Sequence, residues 1–236
     1  AIDVVPTFMG AHAVPEGMDT DHYVDEVVDE QLPAVDDQGV AEYCDVFCEE
    51  GVFSVEQSRR VLEAGREHGL TPKVHAEELA HVGGTKLAAE TGATSADHLL
   101  HATREDVDAL VDADGVPVVL PGTAFGLGAD YADAETMLDA GAPVAVATDF
   151  NPNCHSRSMA FAQALCCVEM RMTPAQALVA ATEHAALAVD RPAKGRLDDG
   201  SPADMAIVDA PSHVHVPYQF GEDVVAATFK DGTRVA

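Results

Sequence analysis

Cationic side chains are scarce in this sequence: 13 Lys and Arg stand against 41 Asp and Glu in 236 residues, a formal net charge of −28. Only four of the cations are lysines, Lys73, Lys86, Lys194 and Lys230. A chain this anionic repels phosphate backbones and anionic lipid, so neither nucleic acid nor a membrane surface is expected as a partner. No run of 18 apolar residues occurs, so no helical membrane span is expected either. The chain starts at Ala1 without an initiator Met, a basic leader or a small-residue cleavage site, and no signal peptide is read. Cysteines number five (Cys44, Cys48, Cys154, Cys166, Cys167), an odd set too sparse for a disulfide scaffold, which points to a reduced, cytoplasmic setting. Cys44 and Cys48 have a spacing that half a metal site can have, but no second Cys or His pair follows, so buried strand thiols are expected. The G-x-S-x-G elbow of serine hydrolases is absent, and Gly83-Gly84 and Gly126-Leu127-Gly128 are too short for a phosphate-binding fingerprint.

What is present is a large apolar fraction, 47%, beside an ordinary charged fraction of 23%. That excludes a disordered chain and leaves enough apolar surface for a substantial core. An acid-loaded, lysine-poor composition resembles that of proteins adapted to high salt, where counter-ions screen the self-repulsion. A merely acidic protein is the plain alternative.

Apolar strand-like runs alternate with amphipathic helix-like runs over the first 150 residues. Strands are expected at Ile2 to Phe8, Tyr43 to Phe47, Pro72 to His75, Ser95 to Leu100, Val116 to Leu120 and Pro143 to Phe150. Helices are expected at Asp21 to Val35, Val55 to His68, Glu78 to Glu90, Arg104 to Asp112 and Ala132 to Ala140. Continuous apolar runs such as Val116-Pro117-Val118-Val119-Leu120 suit parallel strands buried on both faces. Repeated βα units predict a (β/α) barrel or a doubly wound sheet. Ser54-Val55-Glu56-Gln57 and Thr103-Arg104-Glu105-Asp106 are helix starts, and Thr173-Pro174 is another. Two more helices, Ser156 to Glu169 and Thr173 to Val189, precede a tail of short strands (Ala203 to Val208, Val224 to Phe229) broken by Asp199-Gly200 and Asp231-Gly232. Residues 1–190 are thus expected to form the α/β part and 191–236 a small β-domain.

In α/β barrels the chemistry sits on the loops that follow the strands. The strand ends here carry Gly10-Ala11-His12, Cys48-Glu49-Glu50, His75-Ala76-Glu77-Glu78, Asp97-His98, Pro121-Gly122-Thr123 and Thr148-Asp149-Phe150-Asn151. His75, His98 and Asp149, each closing a separate strand, suit a divalent metal such as zinc or iron that activates water. Any one of these imidazoles could equally be a satisfied structural group; their shared position at strand ends favours the site. Glu78 is expected in the first turn of the next helix, where it either serves the pocket as a substrate contact or proton carrier, or simply complements the helix dipole. His22, His68, His81 and His101 fall in helical or flanking stretches, and His213 and His215 read as a solvated turn.

The runs Gly10-Ala11-His12-Ala13-Val14-Pro15, Lys73-Val74-His75-Ala76-Glu77-Glu78, Ser95-Ala96-Asp97-His98-Leu99 and Thr148-Asp149-Phe150-Asn151-Pro152-Asn153 resemble, in this order, the imidazolonepropionase family of metal-dependent amidohydrolases. The likeness extends over nearly the whole chain, through Met170-Arg171-Met172-Thr173-Pro174 to Tyr218-Gln219-Phe220-Gly221. It implies a (β/α)8 TIM-type barrel with a small β-sandwich, one zinc or iron ion, and hydrolysis of 4-imidazolone-5-propanoate to N-formimidoyl-L-glutamate in histidine degradation. Carried across residue by residue, it implies His75 and Asp149 as metal ligands, Glu78 and His12 as substrate contacts, and His98 as the histidine that assists water activation. Asn151 and Asn153 match positions holding the open-chain product, with Cys154 beside them. The chain departs from the family at Asn153 and Cys154, where many members have Gly followed by Ser or Thr, which puts a ligand contact by Cys154 in doubt.

A larger departure is the missing first-strand H-x-H pair, two further metal ligands; the only H-x-H here is His213-Val214-His215, out of order in the tail. Counting back from the Asp149 strand as the eighth, the expected strands are the third to eighth of the barrel. The resemblance puts a substrate-binding Arg and Tyr in the part not seen. A partial barrel would expose sheet edges, so the sequence is expected to be a C-terminal piece of a longer enzyme, inactive by itself. The expected partner is the small-molecule substrate, with a homodimer as an option. Rival readings are an amidohydrolase of another cyclic amide or heterocycle, and a non-catalytic barrel fragment.

Overall fold

The computed structural model describes residues 2–236; Ala1 lies outside them. Two compact units divide the chain, 4–117 in one and 2–3 with 118–236 in the other.

In residues 4–117, strands β1 (Thr7–Ala11), β2 (Tyr43–Cys48), β3 (Thr71–Ala76) and β4 (Ser95–His98) run parallel, each pairing with the next in sequence. Between β1 and β2 lie α1 (Thr20–Glu26), a π-helical turn at Val27–Gln31 and α2 (Leu32–Gln38). The later crossovers are α3 (Val55–Glu67) and α4 (Gly84–Thr91), and α5 (Arg104–Asp112) follows β4. The reason for parallel pairing is visible in β2 and β3. Their alternate residues Cys44, Val46, Cys48, Val74 and Ala76 are all wholly buried. Helices press against that face closely enough to require glycine. A Cβ on Gly65 of α3 would lie 2.8 Å from Cys44 Cβ, and one on Gly84 of α4 would lie 2.9 Å from Ala76 Cβ.

The opposite face of β2 and β3 is polar or aromatic, with Asp45 in register with Lys73 and Phe47 with His75. Side chains alternate along a strand, so one register brings these four to the same side.

In the second unit, β5 (Val116–Val119), which begins at the end of the first, pairs parallel with β6 (Ala145–Val146). Helices α6 (Pro121–Leu127) and α7 (Ala134–Asp139) separate them. After β6 come α8 (Met159–Val168), α9 (Pro174–Val179), a π-helical turn at Ala180–His184 and α10 (Ala185–Leu187). The tail forms a three-stranded antiparallel sheet, β7 (Met205–Val208), β8 (Val225–Lys230) and β9 (Thr233–Arg234), with the short α11 (His215–Tyr218) between β7 and β8. The chain is thus α/β with parallel strands and a small antiparallel sheet.

Several expected elements differ. β1 starts at Thr7, not Ile2, and β6 is two residues long, not eight. The Ala147 N–H continues the β6 ladder, to Val119 O, before Asp149 takes φ +49. Pro121-Gly122-Thr123, expected as a loop, opens α6, because proline at the first helical position has no N–H to satisfy. The helix expected from Glu78 begins only at Gly84. The helix starts expected at Ser54, Thr103 and Thr173 form, and each closes as a capping box, with Gln57, Asp106 and Gln176 respectively. Cys44 and Cys48 are buried strand thiols; burial pushes them up to about 12 and about 11.

Candidate metal and substrate site

In residues 4–117 the strand ends gather His12, His75 and His98 into a row. The His12 and His75 rings meet edge to face at 4.5 Å between centroids, and the His75 and His98 rings lie 5.1 Å apart. Phe47 stacks on His12 at 6.0 Å and meets the edge of His75 at 6.2 Å, an apolar floor under two polar rings. Glu78 joins at the far end, with Oε2 3.5 Å from His98 Nε2.

His98 reaches this row against the strand's alternation. Ala76 pairs with His98, whereas His75 pairs with Asp97, so a regular strand would send the His98 side chain to the other face. Instead His98 and Leu99 have φ +79 and +63. Left-handed backbone at a non-glycine residue costs energy and recurs where side chains are aimed for function. Glu77, at the end of β3, and Asp149, beyond β6, share it with φ +51 and +49.

The residue that ties the row together is one the sequence reading passed over. Asp45, on β2 and 1% exposed, accepts hydrogen bonds at Oδ1 from His12 Nε2 at 2.9 Å and His75 Nδ1 at 2.8 Å. Burial pushes the Asp45 carboxyl up, but the His75 charge and the hydrogen bonds from His12 and His75 outweigh it and hold the group well below the ordinary carboxylate range. Its only sequence signal was a charged residue inside the apolar run Tyr43 to Cys48. Among the described residues, His12, Asp45 and His75 form the one group of three or more His, Cys, Asp or Glu close enough to hold a metal, their donor atoms all within 4.8 Å of one another.

Two further acids, placed at strand ends by the sequence but given no role there, are buried. Glu49 Oε2 accepts the N–H groups of Leu79 and Ala80 at 2.8 and 3.1 Å. Glu77 accepts those of Gly83, Gly84 and Thr85, each at 2.8 Å, together with the Thr85 hydroxyl. These two carboxylates fasten both ends of the segment after Glu78 and close the α4 N-terminus. Glu78 is therefore presented from a bend and does not stand in a helical first turn, so the helix-dipole explanation for it fails. Lys73 also lies near by, its ammonium 3.7 Å from Asp97 and bonded to the Ser95 hydroxyl.

The second unit holds the other expected residues. Asp149 Oδ2 accepts from the Thr123 hydroxyl. Asn151 Nδ2 donates to Asp149 O at 2.9 Å, while its Oδ1 accepts the N–H groups of Asn153 and Cys154 at 2.7 and 3.1 Å. The amide of Asn151 is thus spent on shaping the loop that carries Asp149, an Asx-type turn. Cys154 is buried, its Sγ 3.4 Å from Thr148 O. Phe150 packs on His155 at 4.7 Å, with the Arg157 guanidinium 6.0 Å above its ring.

The donor chemistry of the first unit fits a metal ligand. A buried carboxylate on one imidazole nitrogen is the arrangement that orients metal-binding histidines and raises their basicity. With Nδ1 of His75 engaged by Asp45, coordination would fall to Nε2.

The chain is 71% identical over 236 residues to the imidazolonepropionase of Haloarcula marismortui, covering 100% of this chain and 56% of that protein. It is 58% identical over 239 residues to the imidazolonepropionase of Halobacterium salinarum (98% and 57%), and 47% identical over 238 residues to that of Geobacillus kaustophilus (99% and 56%). The chain therefore spans little more than half the length of the curated relatives it matches. Among solved structures, a zinc-bound adenosine deaminase from Xanthomonas campestris superposes with a TM-score of 0.75 at 15% identity, over 97% of this chain and 59% of that one. Aspergillus niger ochratoxinase gives 0.74 at 18%, over 98% and 64%. At such identities the likeness is one of fold. Residues 54–235 match the amidohydrolase family. This chain belongs to the amidohydrolase family.

Proposed function

We propose that the protein to which these 236 residues belong is an imidazolonepropionase, hydrolysing 4-imidazolone-5-propanoate to N-formimidoyl-L-glutamate. The observation that carries this is the row His12–His75–His98, gathered by Asp45 and Glu78, in a chain 71% identical to a relative of that name. In this reading β1 to β6 take the places of the third to eighth strands of a (β/α)8 barrel, and β7 to β9 belong to a β-sandwich. Two of the relatives come from halophiles, which supports a salt-adapted reading of the −28 charge. Five free cysteines fit a reducing, cytoplasmic setting.

His75 and Asp149 would hold a zinc or iron ion, with the remaining ligands coming from outside this chain. Such an ion supplies an attacking water of lowered pKa. With the ion held, Asp149 and His98, the latter braced by Glu78, would manage the proton released as water adds to the ring carbonyl, one accepting it and passing it on. The ring C–N bond then opens and the departing nitrogen takes the proton. His12 and Glu78 hold the ring in place, and the loop shaped by Asn151, with Asn153 and Cys154, faces the open-chain product.

The test is to express the complete reading frame that contains these residues and follow consumption of 4-imidazolone-5-propanoate. His98→Ala is expected to lower kcat by about 10²- to 10⁴-fold, the range for a lost acid–base group. His75→Ala is expected to lose the metal, and His12→Ala to act mainly on KM. Near-normal metal content and turnover in both His75→Ala and Asp149→Ala would refute the assignment. Turnover of another cyclic amide or heterocycle, with none of the imidazolone, would favour the rival amidohydrolase reading.

A further inference from the structure

One carboxylate oxygen, Asp45 Oδ1, receives both a candidate metal-binding imidazole and a candidate substrate-binding imidazole. From this geometry we infer that Asp45 is a positioning residue that sets the tautomers and ring planes of His12 and His75 together, so that the substrate contact and the metal ligand are aligned by a single buried atom. The inference deepens the metal-hydrolase reading and rests on it for its functional meaning, though its structural content can be tested without turnover.

The argument follows from the inventory of imidazole nitrogens. A neutral histidine carries one N–H, and the nitrogen that gives its proton to an acceptor determines which nitrogen is left as a base. Asp45 Oδ1 lies 2.8 Å from His75 Nδ1 and 2.9 Å from His12 Nε2, both ordinary N–H···O distances. A carboxylate offers only acceptors, so both histidines must donate to it. His75 is thereby committed to its Nδ1–H form and His12 to its Nε2–H form. Two histidines facing one oxygen thus carry opposite tautomers, which places the basic nitrogen of His75 at Nε2 and that of His12 at Nδ1. A neutral His12 in this form recognises a donor, such as a ring N–H, and would not pair with a carboxylate.

Rigidity comes from the surroundings. Asp45 stands in the middle of β2, in register with Lys73 on β3 and 1% exposed. Phe47, two residues on and therefore on the same face, contacts both rings. His12 packs edge to face on His75, with 4.5 Å between centroids and 87° between planes, so the two ring orientations are in contact.

The experiment uses the complete protein that contains these residues, labelled with ¹⁵N in histidine and free of metal. Imidazole nitrogen shifts and long-range couplings are recorded at a pH of about 8.5, above the ordinary histidine value. The expected result is a protonated Nδ1 in His75 and a protonated Nε2 in His12. Asp45→Leu, which removes the acceptor at similar volume, is expected to release His75 to a tautomer mixture and to broaden both rings. Should Asp45→Leu fail to fold, Asp45→Asn keeps the shape with one neutral acceptor and is expected to shift both histidines partway. In the complete protein, Asp45→Asn is expected to weaken zinc binding by about 10- to 100-fold, as loss of such a carboxylate does elsewhere, with Asp45→Glu recovering part of it.

A protonated Nε2 on His75 in the unsubstituted chain would overturn the inference, as would an unchanged His75 tautomer in the Asp45 variants. So would loss of both N–H groups on adding zinc to the chain, since the three residues would then be ligands of one ion. If the tautomers are as expected but the complete protein turns over no imidazolone, the positioning role stands and the functional reading falls.

Discussion

Glu77 and Thr85 are joined twice: the Glu77 carboxylate accepts both the backbone N–H and the hydroxyl of Thr85. The same carboxylate takes the N–H groups of Gly83 and Gly84, so one wholly buried side chain satisfies three amides at the α4 N-terminus. Replacing it leaves those donors buried without acceptors. Glu77→Ala is expected to destabilise the chain by about 2–4 kcal/mol, more than an ordinary cap, for which about 1 kcal/mol is typical. Urea unfolding measures it; a loss no larger than that of Ser54→Ala would contradict the reading.

Alkaline pH should weaken the fold through its thiols. Burial pushes Cys44 and Cys166 up to about 12 and Cys48 up to about 11. Their folded values lie above the unfolded one, so their contribution is whole below about pH 8.5 and is lost as pH rises from there toward 12. Each adds a slope of about 1.4 kcal/mol per pH unit in that window. Unfolding curves at pH values from about 7 to 10 test this, and Cys44→Ser should reduce the slope.

Thiol labelling of the native chain should be ordered by exposure. Cys167 alone is partly exposed, while Cys44, Cys48, Cys154 and Cys166 are buried. One fast equivalent is expected from a neutral disulfide reagent, with the other four appearing on denaturation; peptide mapping identifies the fast site.

Acid should expose the opposite sign at α5. Burial pushes Asp106 up, but hydrogen bonds from the Thr103 hydroxyl and amide, and from His81, outweigh it and hold the group below its ordinary value. That contribution is present above about pH 4 and lost as pH falls through the folded value. Asp106→Asn is expected to be less stable near neutrality and to lose less stability on acidification, as melting temperatures across pH would record.

Salt should stabilise this chain. At −28 the surface repels itself, and raising KCl from about 0.1 M to about 1 M shortens the screening length from about 10 Å to about 3 Å. An upward shift in Tm is expected; a fall would show that specific ion pairs such as Lys194–Asp204 outweigh the diffuse repulsion.

Sequence alone determined the repeating βα order, the helix starts at Ser54, Thr103 and Thr173, and the placing of polar residues at the strand ends, because each rests on a local code: apolar runs, helix caps, and polar residues closing those runs. His12, His75 and His98 could be read as a set because each follows or ends a strand. Three things were decided by tertiary structure alone. Asp45 looked like a stray charge in a buried strand until pairing with β3 placed His75 beside it. The delayed start of α4 depended on Glu77 and Glu49 reaching backbone amides six or more residues away in sequence, a preference no helical periodicity records. The left-handed backbone at His98 and Asp149 leaves no mark on apolar periodicity, and at His98 it accompanies a side chain that strand alternation would have sent to the other face.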